Sequence, residues 1–247
     1  MPISPNQGPS GGGTSVIITG TNLSNASAVR FGTKPATITA NSPTSVTVVS
    51  PSGSGVVDVR VTTPGGTSNP LPFFYVPAPL KTGVDPLSGP TAGGNVVTIT
   101  GTGLTTASSV SFGASTAVPT VVNDGQLTVV VPAGAAAGPV GVSVTTAGGV
   151  HNGVTYVYVD GPTITDVDPA SGPTSGGTAV TITGTSLTTT GSVTFGGNVA
   201  PFTVVSDSTV TTLTPPGAAG AVDVVLTNDG GSDTAVGAYT YVAGPGI

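Results

Sequence analysis

The chain has 247 residues, with 39 Gly, 23 Pro, no Cys, 37% apolar and 6% charged side chains, and a formal net charge of -6. That balance excludes intrinsic disorder, which combines low hydrophobicity with high charge, and it excludes disulfides and thiolate chemistry. It also offers no basic stripe to a phosphate backbone, and no apolar run approaches the roughly twenty residues that span a bilayer. Neither nucleic acid nor membrane insertion is expected.

Met1-Pro2-Ile3-Ser4-Pro5 carries neither a basic n-region nor an apolar h-region, so no signal peptide is recognisable. Pro5 then opens Pro-Asn-Gln-Gly-Pro-Ser-Gly-Gly, a cluster of turn formers. Val16 and Ile18 follow at the strand period of two, before Thr19-Gly20-Thr21-Asn22-Leu23 and Val29-Arg30-Phe31-Gly32. Val57, Val59 and Val61 alternate with Asp58 and Arg60, and the copy closes on Phe73-Phe74-Tyr75-Val76. One apolar and one polar face is the signature of a sheet packed on one side.

The same order of signals then recurs twice. Pro86 opens Pro-Leu-Ser-Gly-Pro-Thr-Ala-Gly-Gly, with Val97 and Ile99, Thr100 to Leu104, Val110 to Gly113 and Tyr156-Val157-Tyr158-Val159 in turn. Pro169 opens Pro-Ala-Ser-Gly-Pro-Thr-Ser-Gly-Gly, with Val180 and Ile182, Thr183 to Leu187, Val193 to Gly196 and Tyr239-Thr240-Tyr241-Val242. The expected domains are therefore 1–77, 78–160 and 161–247, each a two-sheet sandwich of some six or seven short strands. The predicted fold class is all-β, with three tandem immunoglobulin-like sandwiches in an elongated array. In repeat 1, Ile3 stands where Val84 and Val167 stand in the others, so its first strand is truncated.

Pro-X-X-Gly-Pro-X-X-Gly-Gly, a Thr-Ile-Thr-Gly-Thr strand and Val-X-Phe-Gly together closely resemble the IPT/TIG domain. That immunoglobulin-like module occurs in plexins, Rel-type transcription factors and many bacterial and phage surface proteins. The resemblance covers essentially the whole chain. It implies the fold but constrains function loosely, and the basic loops used by DNA-contacting members have no counterpart here.

Candidate chemistry is sparse. His151, in a Gly-Gly-Val-His-Asn-Gly segment read as a turn before the last strand of repeat 2, is the one imidazole; a triad would need a nucleophile and an orienting acid around it, and neither other repeat keeps a His there. All ten acidic residues are Asp, scattered through turns and outward strand positions. The best cluster for a metal is Asp160, Asp166 and Asp168 at the joint of repeats 2 and 3, where alternating oxygens suit calcium. Asn228 to Asp233 reads first as a hairpin turn. Every aromatic but Phe202 falls at a recurring position and reads as core; Phe202 shares its position with Ile38 and Pro119 and reads as apolar by role. No catalytic residue, no enzyme activity and no cofactor are expected.

The two ends carry the functional expectation. Val242 is followed by Ala243-Gly244-Pro245-Gly246-Ile247, as Val159 is followed by Asp160-Gly161-Pro162-Thr163-Ile164. A second molecule placed after Ile247 continues the repeat in register. The expected function is thus a structural protein that self-associates head to tail into a fibre or surface assembly. The joining residues would be Met1, Pro2 and Ile3 with Ala243, Gly244, Pro245, Gly246 and Ile247. The alternative is an adhesin-like module for a glycan or protein ligand. Either reading puts the protein outside the cell, on a bacterial surface or on a virion.

Overall fold

The computed structural model describes residues 2–245, and among them every regular element is a strand. Repeat 1 holds β1 (Ile3–Ser4), β2 (Gln7–Pro9), β3 (Ser15–Thr19), β4 (Ala28–Phe31), β5 (Lys34–Asn41), β6 (Ser45–Val49), β7 (Gly55–Thr63), β8 (Gly66–Thr67) and β9 (Leu71–Val76). Repeat 2 holds β10 (Leu80–Asp85), β11 (Ser88–Pro90), β12 (Val96–Thr102), β13 (Ser109–Phe112), β14 (Ser115–Ala117), β15 (Thr120–Asn123), β16 (Gln126–Val130), β17 (Gly138–Thr146) and β18 (Gly149–Val159). Repeat 3 holds β19 (Thr163–Asp168), β20 (Ser171–Pro173), β21 (Ala179–Thr185), β22 (Thr190–Phe195), β23 (Asn198–Val199), β24 (Phe202–Ser206), β25 (Thr209–Leu213), β26 (Gly220–Asn228) and β27 (Gly231–Val242).

Repeat 3 shows the plan plainly, with one sheet ordered β19-β21-β25-β24 and the other β20-β27-β26-β22-β23. Repeat 2 has the same two sheets, β10-β12-β16-β15 and β11-β18-β17-β13-β14. In repeat 1 the two are joined, because β5 pairs with β4 at Ala36 and with β6 from Thr37 onward. The other repeats have Pro119 and Pro201 near that crossover, and a proline cannot donate to the ladder. There the strand divides into β14 and β15, and into β23 and β24.

By internal contacts the chain falls into two compact units. One is Met1–Val84 with Thr98–Val129 and Gly141–Val154, and the other is Asp85–Val97 with Val130–Val140 and Thr155–Ile247. The boundary runs through the second repeat.

The strand alternation is obeyed closely. Val16 and Ile18 are 0% exposed while Ile17 between them is 46% exposed. In repeat 1 these join Leu23, Val29, Phe31, Val46, Val48, Val59, Val61, Phe73 and Tyr75 in one cluster. Repeat 3 builds a similar cluster from the matching residues, with Thr212 in place of Val48 and Val167 and Ala200 added, and Phe202 packs half-buried against it as expected. Each such side chain contributes about 1.5–3 kcal/mol on leaving water. The aromatics meet edge to face, as in Phe31–Phe73–Tyr75 and Phe195–Tyr239–Tyr241, with centroids 5.0 to 5.2 Å apart.

Each repeat has more strands than the six or seven expected. The Pro-X-X-Gly-Pro segment, which reads in sequence as a turn, is partly a short strand parallel to the last one. Gln7, Gly8 and Pro9 pair with Phe74, Tyr75 and Val76, and β11 with β18 and β20 with β27 repeat the arrangement. Beside it lies a recurring lock. Tyr75, Tyr158 and Tyr241 donate their hydroxyls to the carbonyl oxygens of Pro51, Pro132 and Pro215 at 2.6, 2.7 and 2.6 Å. One glycine of each Gly-rich turn that closes the opening motif, Gly12, Gly93 or Gly176, has a φ of 81°, 70° or 74°. A Cβ there would stand 2.6, 2.6 or 2.5 Å from the carbonyl carbon of that proline. Conformation and space therefore both require glycine.

One position in this region is mismatched. Repeat 1 places Phe73 near Thr14, and repeat 2 places Tyr156 with its hydroxyl 3.0 Å from the Asn95 amide nitrogen. Repeat 3 combines Tyr239 with Thr178, and the Tyr239 hydroxyl is buried without a hydrogen-bond partner. Leaving such a group unsatisfied costs about 1–3 kcal/mol. Tyr239→Phe should therefore stabilise repeat 3 by about 1 kcal/mol, whereas Tyr241→Phe should cost about 1 kcal/mol by releasing Pro215. Calorimetric unfolding of the two variants checks this, and a loss of stability in Tyr239→Phe contradicts it.

Candidate functional site

The residues expected at the leading end lie along β3. Ile3 pairs with Ile18 and packs half-buried against the repeat 1 core, and the Pro2 carbonyl accepts from the Thr19 N–H at 3.0 Å. Beyond that the repeats differ. In repeat 3, β19 continues along β21 so that Thr163 faces Thr185 and Ile164 faces Gly184. The matching Gly20 and Thr21 lie outside β3, which is 5 residues long against 7 for β12 and for β21. At the other end Ala243, Gly244 and Pro245 follow β27 and are exposed. Met1, Gly246 and Ile247 lie outside the described residues.

The linkers between repeats are held by a recurring hairpin. In the first unit, the β17–β18 turn presents Gly148, where an added Cβ would overlap the Pro77 carbonyl oxygen. In the second unit, the β26–β27 turn presents Gly230, where an added Cβ would overlap the Asp160 carbonyl oxygen. Asn228 donates its amide to that oxygen at 3.1 Å and to the Ser186 carbonyl at 2.7 Å. Asp229 accepts from the Ser88 hydroxyl at 2.8 Å, and the Asp233 carboxylate accepts from the Ile164 N–H at 2.7 Å. Asn228 to Asp233 is thus the expected hairpin and also the clamp of a joint. In repeat 1 the equivalent turn, Thr63 to Gly66, borders a groove of about 650 Å³.

The calcium trio does not assemble. Asp160 accepts from the Thr91 hydroxyl at 2.6 Å, whereas Asp166 and Asp168 lie exposed on β19 opposite Thr183 and Thr181. No three His, Cys, Asp or Glu side chains are grouped to hold a metal among the described residues. Asp124 and Asp207 have a different task that the sequence did not announce. Asp124 accepts from the Gly103 N–H at 3.1 Å and the Thr105 hydroxyl at 2.8 Å, and Asp207 accepts from the Thr188 hydroxyl at 2.7 Å. These donors hold both carboxyls below their ordinary pKa.

His151 lies within β18 rather than in a turn, because the hairpin closes earlier, at Gly149. Its Nδ1 faces the backbone N–H of Lys81 at 3.4 Å. Nothing in the sequence marks Lys81, at the joint of repeats 1 and 2, as a buried residue. It takes the core-facing position that Ile164 fills in repeat 3, is 4% exposed, and donates its ammonium to the Val142 carbonyl. Burial lowers its pKa from 10.5 to about 8. Among the described residues the one ion pair is Arg60 with Asp58, at 3.6 Å.

The IPT/TIG domain family matches this chain three times, over residues 1–75, 79–158 and 162–242. Among solved structures the chain is similar to the plexin A4 full extracellular region at 20% identity and a TM-score of 0.46, covering 93% of this chain but 22% of that one. It is also similar to FdeC, an Escherichia coli adhesin, at 16% identity and a TM-score of 0.36, covering 95% of both chains. A Bacteroides ovatus SGBP-B in complex with a mixed-linkage heptasaccharide matches at 15% identity and a TM-score of 0.31, with 96% of this chain and 65% of that chain covered.

Lys81 has a consequence for stability. Its folded pKa of about 8 lies below its ordinary 10.5, so between these values the unfolded chain retains a proton that the folded chain has released. Stability therefore rises with pH across that window. Burial raises the pKa values of Tyr75, Tyr158 and Tyr241, which turns the trend downward above about pH 10. Urea midpoints at constant ionic strength should climb from pH 8 to pH 10 in the native sequence and stay level in Lys81→Met. The same climb in the variant would assign it to another group.

Proposed function

The chain belongs to the IPT/TIG domain family, and on that premise we propose that it is a non-enzymatic structural protein that associates head to tail, as a fibre or as part of a bacterial-surface or virion assembly. The observation that carries this reading is the leading strand of repeat 1. Among the described residues it pairs with β3 at Ile3 and Ser4, with one further bond from the Thr19 N–H to the Pro2 carbonyl, while six-residue strands fill the same place in repeats 2 and 3. Beyond Thr19 no strand of the described chain runs along Gly20 and Thr21, whose inner side is held by the bond from the Gly20 N–H to the Thr44 carbonyl at 2.9 Å, and an edge of this kind can receive a further strand.

The tail has the register to supply that strand. Val242-Ala243-Gly244-Pro245 follows its tyrosine as Val159-Asp160-Gly161-Pro162 follows Tyr158. Gly246 and Ile247, outside the described residues, fall by sequence at the positions of Thr163 and Ile164. A contact between two different surfaces does not close on itself, so it propagates. Burying an apolar side chain at the Ile164 position and pairing the edge would together drive the association.

Sedimentation velocity and negative-stain electron microscopy across a concentration series test the reading. Concentration-dependent filaments are expected from the full chain, and their loss is expected on deleting Ala243 to Ile247. Filaments that persist unchanged in the deletion variant rule out this joint. Monodisperse monomers at every concentration overturn self-association and favour the adhesin-like alternative, with a glycan or protein as ligand.

A further inference from the structure

We propose that the groove beside the Thr63–Gly66 turn of repeat 1 is a preformed seat for an extended Val-X-small-Pro segment, and that its occupant is Val242-Ala243-Gly244-Pro245 of a second copy of this chain. This rests on the head-to-tail reading and adds to it a recognition surface separate from the β3 edge.

The two internal joints provide the template. Each hairpin turn carries two glycines. The second of each pair, Gly66, Gly149 or Gly231, has a φ of 123°, 121° or 140°, which the turn itself demands. The first of each pair, Gly65, Gly148 or Gly230, is not in the left-handed region, so backbone conformation does not explain it. At Gly148 and Gly230 the explanation is space, because a linker carbonyl oxygen lies where a Cβ would go. At Gly65 an added Cβ would meet nothing nearer than the Thr63 hydroxyl at 3.7 Å. Among the described residues neither conformation nor crowding calls for glycine there. The close passage of another backbone does.

The rest of the seat is already in the occupied geometry. The N–H of Gly65 is fixed by the Thr63 hydroxyl at 3.3 Å, as that of Gly148 is by Thr146 at 3.1 Å and that of Gly230 by Asn228 at 2.7 Å. On the facing loop Asn22 has a φ of 59°, matching Gly103 at 70° and Ser186 at 58°. Thr21, Asn22, Leu23, Pro64, Gly65 and Gly66 line the groove. A seat that needs no rearrangement loses less free energy on binding.

The occupant is identified by what fills the other two. Val76-Pro77-Ala78-Pro79 and Val159-Asp160-Gly161-Pro162 share a valine, a small third residue and a closing proline. The proline holds the residue before it extended, and the small residue keeps the segment slim as it passes the loop. Val242-Ala243-Gly244-Pro245 has the same three features.

The test uses a fluorescent peptide of residues Tyr239–Ile247 with the full chain held at low concentration, and its amide shifts mapped by NMR. Saturable binding is expected, with shifts at Asn22, Gly65 and Gly66. Gly65→Ala should keep the native melting temperature, since the site has room for the methyl, yet weaken peptide binding at least tenfold. Equal binding to Gly65→Ala, shifts elsewhere or no saturable binding overturns the proposal. Binding of a Tyr156–Ile164 peptide without binding of the tail peptide also overturns it, in favour of another repeat's exit segment. Peptide binding at the groove without concentration-dependent assembly upholds the seat and removes the fibre. Assembly undiminished in Gly65→Ala upholds head-to-tail association and removes the seat.

Discussion

A small sandwich without a disulfide must fix its first and last strands by packing and hydrogen bonds alone. In each repeat that constraint is met at one place, where the final tyrosine reaches the carbonyl of a proline loop. The ring lies against Gly53, Gly134 or Gly217, and the same proline backs onto the Gly-Gly turn. The last strand, the loop and the opening motif are therefore tied at a single point. A side chain at Gly12 would push its turn off the Pro51 loop, and one at Gly53 would push that loop off the Tyr75 ring, although neither glycine belongs to a strand. The opening motif encodes a tertiary contact more than a local turn.

Much of this was legible in the sequence because period-two alternation and fixed aromatic phase are properties of the chain itself. Val16 and Ile18 inward with Ile17 outward followed from pattern alone. The short parallel strands did not, because Gln7-Gly8-Pro9 has no alternation to show and its pairing depends on β9, far along the chain. The joints were hidden for a similar reason. A Gly-Gly turn looks the same whether its first glycine is crowded by a linker, as Gly230 is, or stands clear, as Gly65 does. The buried amine of Lys81 ran against every composition rule, and its acceptor, the Val142 carbonyl, is invisible until the sheets are laid together. Alternation puts Asp166 and Asp168 on one face but cannot place Asp160, which the structure commits to Thr91.

The repeats have one architecture but are tuned separately. Repeat 1 runs β5 through both sheets where the others break at proline. Repeat 2 satisfies its inner tyrosine with Asn95, and repeat 3 leaves Tyr239 unsatisfied. Five of the aspartates, Asp124, Asp160, Asp207, Asp229 and Asp233, serve as hydrogen-bond acceptors for loops and joints. Asp124 and Asp207 each hold the loop after the second long strand, while Asp229 ties the β26–β27 hairpin to Ser88 on β11 and Asp233 ties it to Ile164 on β19. Polar side chains in this protein are spent on geometry.

The parallel pairing of β2 with β9, repeated in each copy, also determines how a repeat responds to tension. β2 lies near the start of its repeat and β9 at the end, and they run in the same direction side by side. Pulling the two ends apart draws these strands past one another lengthwise. Their hydrogen bonds are then strained together and must fail nearly at once, whereas an antiparallel hairpin pulled at its open end releases its bonds one by one. The stretch of chain that looks least regular in sequence is thus the mechanical clasp of each repeat.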